Sequence, residues 1–416
     1  MTDVSQGLPE LPEELTTGER VRVLRERRGL SRPVLAGLVG RSPDWLKKIE
    51  TGRRELRSVT LLVRLANALR VDDLSVLTGG DLTLPVDAVG KLSHPCVPTL
   101  RTALHGVSFT GPSTVEPCSA EVLKARVEEA WRLWHRSTHQ RTEVGALLPD
   151  LVRDAHACVR AHDGVERRAA HAATADLYRL VQRLLAHICE PELYWLALDR
   201  GRAHSEEADH PVSLALAAWS TAIGQRATGF AEEAVRTDEA GMSLIRDQLE
   251  RGNAEILGVY GALNLQAAIS CGLDGRSGDA ERYLIAADRT ASRLPAGYTH
   301  TPSAFDASNV AIHGVSVGVG LLTPGEALRR AESIDPSSVG SLERRSRLLL
   351  DIAAGHVQKR EPAAALHYLG HAYRTTPEGV RYVPFARGVA AELARSATGP
   401  LKAEAVTLAE SIGMAA

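Results

Sequence analysis

Gly314-Val315-Ser316-Val317-Gly318 satisfies the G-x-S-x-G pattern, in which a serine nucleophile sits on a sharp strand-to-helix turn. The chemistry it would imply is acyl transfer through Ser316. Its flanks argue for something plainer. Asn309 to His313 before it and Leu321-Leu322 after it continue a helical pattern, and two glycines four apart let a neighbouring helix approach. His135 with His139, and His367 with His371, have the spacing that brings two ring nitrogens to one helix face for a metal ion. No glutamate completes an H-E-x-x-H arrangement, and fifteen histidines make chance pairs common. No G-x-x-x-x-G-K-[ST] loop is present to cradle nucleotide phosphates. The residues therefore predict no catalytic group, no metal and no cofactor. The basic side chains offer more: Arg32, Arg41, Lys47, Lys48, Arg53 and Arg54 crowd into 23 residues, the side-chain types that meet phosphates and base edges.

The elements that must position them begin with a charge asymmetry. From Gly18 to Arg70 there are 14 Arg or Lys against 5 Asp or Glu, while the whole chain carries −2. A small basic module on a larger acidic body suggests that one end meets a polyanion and the other does not. At 416 residues two or more domains are expected. No apolar run approaches the roughly 20 residues that cross a bilayer. Five scattered cysteines, Cys96, Cys118, Cys158, Cys189 and Cys271, form no CxxC pair, which fits a reducing cytoplasm.

Four segments are expected: a disordered tail over 1–17, a helical module over 18–78, a glycine- and proline-bearing linker over 79–118, and helical repeats over 119–416. The linker is expected to hold a short helix near Pro98 to His105. Aromatic residues are scarce and alternating strands few, so the class is all-α.

Within the module, Glu19 to Arg28 predicts a first helix stopped by Gly29. Ser31 caps a second, with Pro33 in its first turn, and Gly40 ends it. Ser42 caps a third that opens on Pro43; Leu46 and Ile49 face inward while Asp44, Lys47 and Lys48 face out. A fourth helix follows from Val59 to Leu69, and a short fifth over Asp72 to Leu77. Two helices joined by the tight turn Gly40-Arg41-Ser42 have helix-turn-helix geometry, with the second helix offered to the major groove.

The run Gly18-Glu19-Arg20, Leu24-Arg25, Gly29-Leu30-Ser31, Leu35-Ala36, Gly40-Arg41-Ser42, Ile49-Glu50-Thr51-Gly52-Arg53-Arg54 and Leu65-Ala66-Asn67-Ala68-Leu69 resembles the XRE family, which includes phage Cro and repressor proteins. The resemblance implies double-stranded operator DNA as partner. It places Arg32 on a phosphate, Pro43, Asp44 and Lys48 at base-reading positions with Lys47 beside them, and Arg53 and Arg54 on the backbone. It also implies a buried Arg25–Glu50 salt bridge between the first and third helices. With the turn residues Arg41 and Ser42, the candidate DNA-contacting set is Arg32, Arg41, Ser42, Asp44, Lys47, Lys48, Arg53 and Arg54. Pro43 departs from the family pattern, since it cannot read a base edge. One such module makes few base contacts, so a homodimer on a pseudo-palindrome is expected.

The remainder reads as tetratricopeptide-like helix pairs, approximately 120–139 with 143–162, 165–188 with 192–208, 211–228 with 230–251, 253–273 with 276–293, 305–321 with 324–334, and 341–358 with 361–375. Capping helices follow near 380–396 and 400–413. Their period is uneven and exceeds the roughly 34 residues of the consensus unit. The alternative is an irregular bundle. The stretch from Arg344 to Ala394 is similar to the C-terminal part of actinobacterial XRE regulators with tetratricopeptide-like repeats. Related architectures bind signalling peptides on a concave face, clamped by asparagines of first-of-pair helices. Asn264 and Asn309 sit on such helices here, with His313 one turn beyond, and ordinary interhelical hydrogen bonding is their other reading. The resemblance implies a DNA-binding transcriptional regulator that senses a small-molecule or peptide effector; the alternative is an interaction adaptor with residual DNA binding.

Overall fold

The computed structural model of the chain describes residues 11–12, 14–54, 56, 59–69, 71, 75–79, 92–106, 116–188, 190–250 and 253–414. Among them every regular element is a helix; two isolated bridges, Leu92 to Ile188 and His300 to Phe305, are the sole strand-like pairings. The all-α expectation holds.

The N-terminal module comprises α1 (Thr17–Arg27), α2 (Arg32–Leu38), α3 (Pro43–Glu50), α4 (Val59–Leu69) and α5 (Ser75–Thr78). The first three starts have local causes. Thr16 forms a reciprocal capping box with Glu19, and Ser31 and Ser42 accept from the amides of Val34 and Trp45. Gly29, Gly40 and Gly52 terminate α1, α2 and α3 with positive φ. Val21, Leu24, Leu35, Ala36, Leu46, Ile49, Leu65 and Leu69 are buried together as its core. The module starts earlier than the predicted tail allows: Arg20 donates to the carbonyls of Pro12 and Leu15, at 2.8 and 2.9 Å. Residues 72–74, where the fifth helix is expected to open, lie outside the described residues.

Next comes α6 (Val97–His105), whose Val97, Leu100 and Leu104 are buried in the core of the first repeats. The repeats follow as α7 (Ala120–Arg136) and α8 (Gln140–Ala161), α9 (Gly164–Leu185) and α10 (Pro191–Ala208), and α11 (Pro211–Ala227) and α12 (Ala231–Ile245). Then come α13 (Ala254–Asp274) and α14 (Ser277–Ala291), α15 (Ala307–Gly320) and α16 (Pro324–Glu332), and α17 (Leu342–Gln358) and α18 (Pro362–Thr375). The chain ends in α19 (Pro377–Arg381), α20 (Pro384–Ser396) and α21 (Gly399–Ser411). Each predicted pair is present, because proline or a side-chain cap opens most of these helices and a short turn closes them.

One expectation is corrected. Ala254–Leu273 is long and apolar enough to cross a membrane, with a mean hydropathy of 1.4 over its best window. Asn264 and Gln266 interrupt it in the sequence, and 78% of that window is buried inside the protein, so it serves as the core helix α13.

The stack closes on itself. His135 of α7 bonds the carbonyl of Thr301 at 2.8 Å and the hydroxyl of Ser341 at 2.9 Å. Arg183 of α9 pairs with Glu343 of α17 at 2.8 Å. Glu378 of α19 accepts from the amides of Arg141 and Thr142 at 2.7 and 3.1 Å and from the Thr142 hydroxyl, capping the start of α8. Tyr382 completes the core built on Trp131, Trp134 and Tyr178. The first repeat thus packs against the last.

Candidate nucleic-acid interface

The frame of the helix-turn-helix is an ion triad. Glu50, at the end of α3, has no accessible side-chain surface. It accepts from Arg25 Nε at 2.5 Å and Nη2 at 3.1 Å, and from Arg32 Nε at 2.6 Å. Hydrogen bonding to Glu50 holds the Arg25 guanidinium above its ordinary pKa. Arg25 also donates to the Leu30 carbonyl at 2.9 Å, so one side chain ties α1, the α1–α2 turn and α3 together. Arg32, read from sequence as a phosphate ligand, is therefore also a structural partner, with 37% of its side chain accessible.

On this frame α3 presents Ser42, Pro43, Asp44, Lys47 and Lys48 to solvent. Ser42 spends its hydroxyl on the cap, 3.1 Å from the Trp45 amide. Trp45 itself is only 4% exposed and belongs to the module core, so its bulk does not obstruct the outer face. Lys48 and Asp44 form an i,i+4 ion pair at 2.7 Å, and the Lys48 hydrogen bond depresses the Asp44 carboxyl below its ordinary value. A duplex must break that pair to use either side chain. Arg53 is exposed beyond α3.

Arg41 and Arg54 do not join this face. A Cβ built on Gly40 would lie 2.1 Å from Gly229 Cα, so the helix-turn-helix turn and the α11–α12 turn touch backbone to backbone. Only glycine on both sides permits that approach. Next to it, Arg41 lies over the Trp45 ring at 5.7 Å, and its Nε is buried without a hydrogen bond. Burial pulls its guanidinium down to about 10, with the nearby Asp274 carboxylate opposing. The Arg54 guanidinium rests on the α13–α14 turn, where a Cβ at Gly275 would meet Nη1 at 2.6 Å. Arg64 of α4, which the sequence did not single out, donates to the Ala227 carbonyl at 2.7 Å. Nothing in the sequence marked Arg64, because its role depends on a partner 163 residues away.

In the repeat domain, Asn264 and Asn309 are 2% and 3% exposed. Asn264 Nδ2 donates to the Tyr260 carbonyl at 2.8 Å, and Asn309 Nδ2 to the Ser303 carbonyl at 3.2 Å. His313 Nδ1 bonds the Asn309 carbonyl at 2.8 Å, and burial pushes the imidazole down to about 4, so it is neutral near pH 7. Around them Arg226 donates to Gln266 Oε1 at 2.5 Å, while buried Asp238 has neither oxygen hydrogen-bonded. Burial raises the Asp238 carboxyl well above its ordinary value.

The remaining motifs fall into place as packing. Ser316 lies inside α15, where its hydroxyl contacts the Ile312 carbonyl and Asp351, and no strand precedes it among the described residues. Gly318 admits α16, since a Cβ there would lie 2.9 Å from that of Ala327. No group of three or more His, Cys, Asp or Glu side chains is placed to hold a metal ion among the described residues.

The family described as a helix-turn-helix domain matches residues 17–76. No curated protein matches the chain. Among solved structures it is similar to that of Bacillus thuringiensis PlcR in complex with the peptide PapR7 and DNA, at 14% identity and a TM-score of 0.29, over 83% of this chain and 98% of that one.

Proposed function

We propose that the chain is a sequence-specific DNA-binding transcriptional regulator, acting as a homodimer on a pseudo-palindromic operator, whose helical repeats sense a small molecule, peptide or protein partner. The carrying observation is the outer face of α3: Asp44, Lys47 and Lys48 are exposed on a helix whose other face is fixed by Leu46, Ile49 and the Glu50 triad. A helix is about 10–12 Å across with its side chains and lies in a major groove of similar width. Lys48 donates to a guanine edge, Asp44 accepts from a cytosine amine, and Arg32 and Arg53 supply backbone contacts. The effector part of the reading is supported by the polar interior around Arg226, Asp238, Asn309 and His313, where unmet hydrogen-bonding capacity suits a polar ligand.

Selection of bound fragments from sheared genomic DNA at near-physiological salt tests the reading. An inverted repeat among the survivors is the expected result. A bound pool without sequence enrichment favours the adaptor. On the selected operator, Lys48→Ala should cost about 1–3 kcal/mol and relax base preference at one position. Arg53→Ala should instead weaken all sequences alike and reduce the salt slope by roughly one. Unchanged affinity and preference in the Lys48 variant would remove α3 from the groove.

A further inference from the structure

The helix-turn-helix is docked on the repeat domain through residues that flank its recognition helix on both sides. Gly40, two residues before the cap of α3, is in backbone contact with Gly229. Arg54, four residues beyond α3, lies on the Gly275 turn. Arg64 bonds the Ala227 carbonyl, and Ala391 of α20 packs on the module core. Asp274 stands close enough to act on the charges of Arg41 and Arg54 without direct ion pairing. All of the repeat-domain groups except Ala391 come from two neighbouring turns, those that end α11 and α13.

A helix 10–12 Å across in a groove about 12 Å wide leaves its flanking residues against the two phosphate strands. Those flanks are the Gly40-Arg41 turn and the Arg53-Arg54 segment. The first touches the backbone at Gly229, and one guanidinium of each flank, Arg41 and Arg54, is spent on protein.

We propose that this dock is an autoinhibitory clamp: the α11–α12 and α13–α14 turns hold the module with Arg41, Arg54 and Arg64 withdrawn from DNA, and the module leaves them before it seats on a duplex. The inference rests on the DNA-binding reading above. Each contact is weak alone, which suits a clamp that an effector in the repeats can release; a ligand that binds the released form better shifts the balance by its differential affinity.

The test is a substitution whose sign is opposite under the two alternatives. Arg64→Ala removes a positive charge from the basic module, so plain electrostatics predicts weaker DNA binding. The clamp predicts stronger binding, because the bond to Ala227 is lost. Alanine suits the interior of α4, so the variant should fold. The full-length protein and its Arg64→Ala form would be titrated against the selected operator and a random duplex by fluorescence anisotropy, alongside amide exchange of the free proteins. Expected for the variant are a roughly tenfold gain in affinity and faster exchange at Gly40, Arg41 and residues 227–230. The salt slope should steepen by roughly 0.9 for each guanidinium returned to a phosphate. Asp274→Arg, which sets a cation against Arg41 and Arg54, should act the same way, whereas Asp288→Arg on the exposed face of α14 should not. Weaker binding by Arg64→Ala with unchanged exchange overturns the clamp alone, as does an equal gain from Asp288→Arg. No binding to either duplex by any form, even at low salt, overturns the DNA-binding reading and the clamp with it.

Discussion

Replacing Glu50 by alanine should cost the N-terminal module about 3–5 kcal/mol, because the substitution leaves the Arg25 guanidinium buried without its counter-charge. Arg25 has 7% of its side chain accessible and Glu50 none, so water cannot take over either role. Folded domains hold only about 5–15 kcal/mol in total, and a module of five short helices belongs at the low end. The expected outcome is loss of the module as a folded unit at 37 °C, with the repeats still helical. Amide exchange read along the full chain separates the two, since α1 and α3 should lose protection while α13 keeps it. Glu50→Gln, which keeps the shape and part of the hydrogen bonding, should fall between. A loss below about 1 kcal/mol, the range of exposed ion pairs, would mean that the triad does not hold the module together.

The second large effect concerns Glu378. Burial by itself would lift this carboxyl; His94 at 3.6 Å, Thr142 and the amides of Arg141 and Thr142 outweigh it and hold the group down to about 2. A carboxyl that titrates near 2 when folded and near 4.5 when unfolded contributes about 3 kcal/mol. Its folded pKa is depressed, so the contribution is fully present above about pH 4.5 and is lost as the pH falls toward about 2. Glu378→Gln should therefore lose stability of that order at neutral pH, and lose much of the acid sensitivity between about pH 4.5 and 2. Denaturant melts of the wild type and the variant at pH 7 and pH 3 measure both. A variant whose deficit is the same at both pH values would show that the carboxylate charge is not what holds α19 to α8.

Local causes are legible in the sequence and distant ones are not. Ser31, Ser42, Gly29, Gly40 and Gly52 each act within one helical turn, so α2 and α3 follow directly from residue order. Pro191, Pro211, Pro324 and Pro362 open their helices for the same reason. The Arg25–Glu50 pair comes from the family resemblance, because its partners stand 25 positions apart in the chain. Arg41 and Arg54 show where such reading stops. Their type and position suit a phosphate equally well, and only the approach of Gly229 and Gly275 reveals that they are engaged elsewhere. Residues 1–17 read as a tail because their start is acidic and proline-bearing, yet a single guanidinium, Arg20, collects the carbonyls of Pro12 and Leu15. The α13 run escapes notice as an apolar stretch because Asn264 and Gln266 break it in the sequence, while both side chains find partners in the fold.

The bond from Glu378 to Arg141 spans 237 residues of chain. Stacked helical repeats ordinarily tolerate gain or loss of a unit, because each touches only its neighbours and stability grows by increments. Here an added pair of helices would carry α19 away from α8, and a deleted pair would drive the two together. The number of repeats should therefore be constrained by these end-to-end contacts, and insertions should be confined to exposed turns away from them. Unfolding should also be concerted across the repeats, since opening at either end breaks contacts at both.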